Sequence, residues 1–298
     1  MAVESMNGLL TQIKSELLRY KERELRKIGS HFKKGIFAPN EILPACAIIP
    51  DYEECGRPYT GKYKVRRGVN VEFWVDSLKI KNAVETVLEL AEQAKEIFQK
   101  STRLHEQVLD IEYGRAALGT GPGKLSFMQN VALPFVFTTK DSIPTSRTEW
   151  LKDDMTENSA LELADVIFAD LKELKKDDRD KFQSVINLTA PPQLVNRQLA
   201  LLVHTEDMDH DWAGAEGVHR TFEILYSTAL FASEKSIEDN LGGVEAIKDK
   251  VFANLQWNGR CINSWIPRID FGVGEMRSAS GMGYVTSLKL ETVSREML

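Results

Sequence analysis

Two stretches of the chain concentrate residues that could do chemistry. The first, Gly119-Thr120-Gly121-Pro122-Gly123-Lys124, invites comparison with a phosphate-binding loop. A P-loop needs a glycine separated by four residues from its Gly-Lys pair and a Ser or Thr after it; those positions hold Leu118 and Leu125. A dinucleotide fingerprint fails as well, because the run leads into a strand-like segment and Pro122 removes a backbone donor. The stretch reads as a glycine-rich hairpin loop, mobile or used at a subunit contact. The second stretch gathers His204, Glu206, Asp207, Asp209, His210 and Asp211, with His219 beyond it. On a strand continuing to His210, the side chains of His204, Glu206 and His210 share one face, a ligand set suited to zinc or manganese. The spacing matches no metalloenzyme signature, so a solvated acidic hairpin is the favoured reading, and a metal-dependent hydrolase centred on His204 and His210 is the alternative.

Nucleophiles are no better placed. There is no GxSxG elbow, and Cys46 lies in an apolar run where a thiol packs as a small hydrophobe. Cys46, Cys55 and Cys261 have no CxxC spacing, which argues against a disulfide framework or a structural zinc and for reduced thiols. Trp74, Trp212, Trp257 and Trp265 are read as core or interface anchors. The expectation is a protein with no catalytic residues and no cofactor.

Composition agrees with an ordinary folded chain: 298 residues, 43% hydrophobic, 28% charged, 44 acidic against 38 basic side chains and a formal charge of -6. The length suggests about two domains, and collagen-like and disordered classes are excluded. The acidic balance disfavours a dedicated nucleic-acid binder. No apolar run reaches the length of a membrane-spanning helix. The N-terminus reads as an amphipathic helix rather than a signal peptide, so a protein assembled in a cytosol is expected.

The elements that must position these residues follow from periodicity. Leu9, Leu10, Ile13, Leu17, Leu18, Leu25 and Ile28 predict an amphipathic helix over 7–28. A buried strand over 45–52 follows, then an alternating strand of Tyr63, Val65, Val69, Val71, Phe73 and Val75, a helix over 82–99, and strands over 108–117 and 125–139. Residues 140–156 lack apolar period and read as a linker. The second half predicts a helix over 161–174, strands over 199–204 and 218–231, a helix over 244–255 introduced by Gly242-Gly243, and strands over 269–277 and 284–293.

The two halves repeat one order. Leu10 and Ile13 match Leu163 and Val166; Cys46 to Ile49 match Ala200 to Val203; Val84-Glu85 match Val244-Glu245; Ile111 to Gly114 match Ile269 to Gly272; Val131 matches Val285. All pairs lie about 153 to 160 residues apart, near one domain's length. This predicts an α+β protein made of two tandem similar domains, each an antiparallel or mixed sheet with an N-terminal and a central helix: residues 1–140, a linker over 141–156, and 157–298.

The first half, with "LPACAIIPDYEE" and "YKVRRGVNVEFWVD" after its N-terminal helix, resembles the tail terminator (tail completion) proteins of long-tailed bacteriophages. The second, with "QLALLVHTEDMD", "HRTFEILYSTALF", "GGVEAIKDKVFANL", "IPRIDFG" and "GYVTSLKLETV", is similar to minor tail proteins of contractile phages that share that fold. The resemblance implies a structural virion protein, assembled in the host cytoplasm, whose copies close into a ring at the head-proximal end of the tail. Its implied partners are itself, in a sixfold or pseudo-sixfold ring, and neighbouring tube, sheath and neck or connector proteins. DNA only passes through the lumen, and no membrane is involved. Other tail, tube or baseplate roles fit the same resemblance. Candidate subunit-interface residues are the basic Lys64, Arg66 and Arg67, the acidic Asp207, Asp209 and Asp211, and Gly121 in the glycine loop, the opposite charges pairing between subunits.

Overall fold

The computed structural model describes residues 5–36, 43–56, 62–77, 80–122, 127–142, 160–188, 194–209, 216–230, 234–261, 263–276 and 281–296. It divides into two compact units. One comprises Met1–Glu53, Lys64–Asp141 and Ala232–Glu234; the other comprises Glu54–Tyr63, Ser142–Phe231 and Lys235–Leu298.

The first unit begins with α1, Met6–Arg19, whose N-cap Ser5 accepts a hydrogen bond from the Gly8 amide at 3.1 Å. Its Leu9, Leu10, Ile13 and Leu17 are fully buried. The helix stops earlier than its apolar period suggests. At its end the Tyr20 amide donates to the Leu17 carbonyl and the Lys21 amide to that of Leu18, and the chain continues through turns to Gly29 at φ +63, which still bury Leu25 and Ile28. Strand β1, Phe32–Lys34, is too short to show a period; it runs parallel to β2, Ala45–Cys55. Strand β3, Lys62–Ser77, leads to helix α2, Ile80–Lys100, and to α3, Thr102–Glu106, a turn whose Arg103 to Glu106 are all left-handed. The short strands β4, Asp110–Tyr113, and β5, Ala117–Pro122, then share one side of β6, Phe127–Ser142. The order across the sheet is β1-β2-β3-β6, with β4 and β5 outermost.

The second unit repeats this plan. Helix α4, Ala160–Asp177, is followed by β7, Ser184–Leu188, parallel to β8, Gln198–Asp209. Strand β9, Glu216–Ala229, helix α5, Lys235–Ala253, and the hairpin of β10, Asn263–Glu275, with β11, Met282–Glu296, complete it. Its order is β7-β8-β9-β11-β10, that of the first unit with β10 alone standing where β4 and β5 share the outer side of β6. The parallel pair is also registered alike: Phe32 faces Cys46 and Ser184 faces Gln198, fourteen residues on in both. The protein is thus an α+β fold with two similar sub-regions, each with an N-terminal helix, a central helix and a mixed sheet.

Burial sharpens the correspondence. Leu9, Leu10, Ile13 and Leu17 match Leu163, Ala164, Ile167 and Leu171, and Ala83, Val87, Leu90, Ala94, Ile97 and Phe98 match Ile237, Leu241, Val244, Lys248, Val251 and Phe252. Every pair is buried and 154 residues apart. This replaces two residue-level matches made from sequence. Val84 aligns one turn and a half away from Val244, and Val131 faces the core whereas Val285 faces away from it.

The glycines are the other departure. Gly242 and Gly243 lie inside α5 rather than before it. A Cβ on Gly243 would collide with the buried Tyr226 ring, whose hydroxyl donates to the Lys181 carbonyl at 2.8 Å. The glycine is there because helix and sheet approach closely. Likewise Gly119 to Pro122, expected as loop, belong to β5 and pair with Phe127 to Asn130, while Gly123 and Lys124 lie outside the described residues. Among the described residues no helix is long and apolar enough to cross a membrane.

Candidate functional site

The long strands carry the residues singled out from sequence. On β3 the side chains alternate, Val65, Arg67, Val69, Val71, Phe73 and Val75 inward and Lys64 and Arg66 outward. Lys64 is exposed, and Arg66 reaches Glu112 of β4 at 3.5 Å with both side chains about half exposed. Such a surface pair adds little stability and leaves Arg66 accessible to a partner.

Arg67 is not on this surface. It is fully buried, donates from Nε to Glu53 Oε1 at 2.9 Å, and bonds Thr139 Oγ1 from Nη1. The expected basic patch therefore loses Arg67, because the two-residue period that puts its neighbours Val65 and Val69 into the core takes Arg67 with them. The second unit holds the same device. Arg220 of β9 is buried, at 2% exposure, and donates from Nη1 to Ser294 Oγ of β11. Its backbone partner on β8 is Glu206. Around it Phe222, Ile224 and Tyr226 stand where Val69, Val71 and Phe73 stand in β3, each 153 residues on. Among the described residues each unit thus hides one arginine, bonded to a hydroxyl on the neighbouring strand.

The acidic residues fall at the far ends of β8 and β9. Asp207 is registered with His219 and Asp209 with Gly217, while Asp211 and His210 lie outside the described residues. The backbone register of β8 against β9 shifts between Val203 and Glu206. Among the described residues, no three His, Cys, Asp or Glu side chains gather to hold a metal. Gly121 pairs with Met128 in the β5–β6 ladder.

Two acidic residues, Glu16 and Glu72, also have structural partners. Glu16, buried in α1, accepts from Arg19 at 3.1 Å and lies 2.9 Å from His105 Nε2. Half-buried Glu72 accepts from Trp74 Nε1 at 3.0 Å; burial raises its pKa and that hydrogen bond opposes the rise.

The thiols are held away from chemistry. Cys46 and Cys261 are buried and Cys55 is partly exposed. Burial, with the Glu72 charge behind it, raises the Cys46 pKa well above the usual value; burial pushes Cys261 up to about 12 despite the pull of Arg220. Tyr226 is raised for the same reason. Native protein at pH 8 is expected to react with a thiol reagent at Cys55 alone, Cys46 and Cys261 appearing only on unfolding. The linkage has a definite sign. From about pH 9 upward an unfolded chain releases these thiol protons and the folded chain retains them, so stability should fall as pH rises. Denaturation midpoints at pH 8 and pH 10, for the wild type and for Cys261→Ala, check this: the alkaline loss should be smaller in the variant.

Comparison with known proteins adds little by sequence: no family model matches the chain, and no curated protein matches it. Among solved structures, a chain described as "Virion of native gene transfer agent (GTA) particle" is similar over 44% of this chain and 94% of its own length, with 12% identity and a TM-score of 0.30. That score is too low to establish a common fold.

Proposed function

We propose that this protein is a structural ring subunit of a phage-like tail, placed at the head-proximal end, where it caps the tube or sheath and joins tail to neck. The observation that carries the reading is the duplicated plan, an α-β-β-β-α-β-β order built twice with α3 and the split of β4 and β5 added in the first unit, together with the resemblance of both halves to tail terminator and minor tail proteins. A duplicated unit suits a ring, because one chain then supplies two quasi-equivalent sectors, giving three chains in a pseudo-sixfold ring or six chains with twelve sectors. The buried arginines fit the same role. They spend their charge on stiffening long strands instead of on a ligand.

The surface chemistry follows. Lys64 and Arg66 on one side and Asp207, Asp209 and Asp211 on the other are complementary contacts between copies, with Gly121 at the hairpin beside them; such charges set register and encounter rate more than affinity. The net charge of -6 suits a lumen through which DNA slides without binding. Light scattering and negative-stain images of the purified chain test the reading: closed rings of three or six copies support it, and a 33.7 kDa monomer at every concentration contradicts it.

A further inference from the structure

The sheets of the two units end on unlike strands, and neither end is covered among the described residues. In the first unit β4 and β5 occupy the outer side of β6 and pair with no other described strand. In the second, β7 lies outside β8 and pairs with it alone. Natural sheets protect such edges with charge, because the unpaired amides and carbonyls are a template for another strand. Here β5 (ALGTGP) and β7 (SVINL) contain no charged residue, and the proline of β5 is its last residue.

The apolar surface follows the same edges. Leu118 on β5 is 53% exposed and Tyr113 on β4 is 49% exposed, although their ladder partners Val131 and Phe135 are fully buried. Both therefore lie on the helix side of the sheet, where Tyr113 still meets α2 through Gln99, which donates to its hydroxyl at 3.0 Å, and through Lys95 over its ring. At the other edge Val185 packs on the core from the helix side, and α4, which lies over β7 and β8, opens with Leu161 at 63% exposed.

We propose that copies of the chain join head to tail by pairing the β4–β5 edge of one copy with the β7 edge of the next. The backbone demands an extended strand as occupant, and a second copy brings one of matching length, five residues against the six of β5. It also brings a helix on the same side of the sheet, so Leu118 passes under the next copy's α4. The choice of unlike edges follows from there being one of each per chain. A contact between like edges stops at two copies, whereas one between unlike edges leaves a free edge at each end and repeats until the ring closes. The proposal rests on the ring reading and supplies its joint.

The test uses the full chain, with Leu118→Lys at one edge and Ile186→Lys at the other; Ile186 is half-buried on β7. By light scattering the wild type should run as a ring, and each variant, its circular dichroism unchanged, as a 33.7 kDa monomer. Mixing the two variants leaves one intact edge pair, so it should give one-to-one dimers and nothing larger. If a lysine unfolds the chain, Leu118→Cys with Asn187→Cys, which shares the helix side of β7 with Val185, in a Cys55→Ser background replaces it: oxidation should give a ladder of covalent multimers, absent with either cysteine alone. Rings that survive in either folded lysine variant, a mixture without dimers, or a double cysteine chain that yields no multimers overturn the edge pairing while leaving the ring in place. A wild type that never forms a ring overturns the ring reading itself.

Discussion

Replacing Arg67 with methionine is expected to cost the first unit about 3–5 kcal/mol, far more than any surface charge of β3. The guanidinium has no exposure and answers the carboxylate of Glu53, which is equally buried. Removing the arginine alone takes this counter-charge from a buried carboxylate, and Thr139 loses the guanidinium's hydrogen bond at the same time. The double replacement Arg67→Met with Glu53→Leu removes both charges, so it should recover most of the loss. Arg66→Met, one residue away and half exposed, should change stability by less than about 1 kcal/mol. Urea denaturation of the three variants, followed by hydrogen exchange in β2, β3 and β6, separates these outcomes. Equal effects of Arg66 and Arg67 would contradict the buried clamp.

Trp257→Ala should be as damaging to the second unit, about 3–5 kcal/mol. The indole is among the largest fully buried side chains and joins the core of Leu171, Phe182, Tyr226 and Ile269. It gets there by an unusual backbone: Trp257, Asn258 and Gly259 have φ of 45, 59 and 83, which turns the chain after α5 and drives the ring inward. Its Nε1 donates to Ser264 Oγ at 3.1 Å, and that hydroxyl in turn donates to the Leu255 carbonyl at 2.9 Å. Phenylalanine keeps most of the apolar contact and loses the hydrogen bond, so Trp257→Phe should cost clearly less than alanine. The first unit solves the same corner with Leu104, 153 residues earlier, buried and left-handed at φ 49. Thermal melts of the two Trp257 variants, with protection of α5 and β10 by hydrogen exchange, check the order.

Much of this architecture was legible in the sequence, and the failures have physical causes. Long helices and long strands announce themselves by period, and both halves of the repeat were visible as an order of elements. The exact 154-residue spacing of the helices was not, because matching letters such as Val84 and Val244 are weaker guides than matching buried faces. Strand β1 has three residues, two of them lysine, too few for any alternation to show. Strand β7 is a half-buried edge, where the apolar pattern is blunted. Gly242 and Gly243 look like a helix boundary until Tyr226 is seen beneath the second of them.

The candidate interface was less legible, and Arg67 shows why. Its charge argued for solvent, yet it shares the parity of Val65, Val69, Val71, Phe73 and Val75, and that parity was in the sequence. Arg220 shares the parity of Val218, Phe222, Ile224 and Tyr226 in the same way. A charged residue in phase with an apolar strand face is a signal for a buried, paired charge, and its recurrence in both halves strengthens it. Lys64 and Arg66, out of phase with the core, remain on the surface where the proposed contacts lie. Asp211 and His210 fall outside the described residues, and sequence alone speaks for them.

The central claim is a ring seated at one end of a tail. Its most direct measurement is the position of the labelled chain on isolated tail tubes from the same particle, by immunogold electron microscopy. The account predicts gold at the head-proximal end only, in a single cluster per tube. Label spread along the tube, or confined to the distal end, would contradict it.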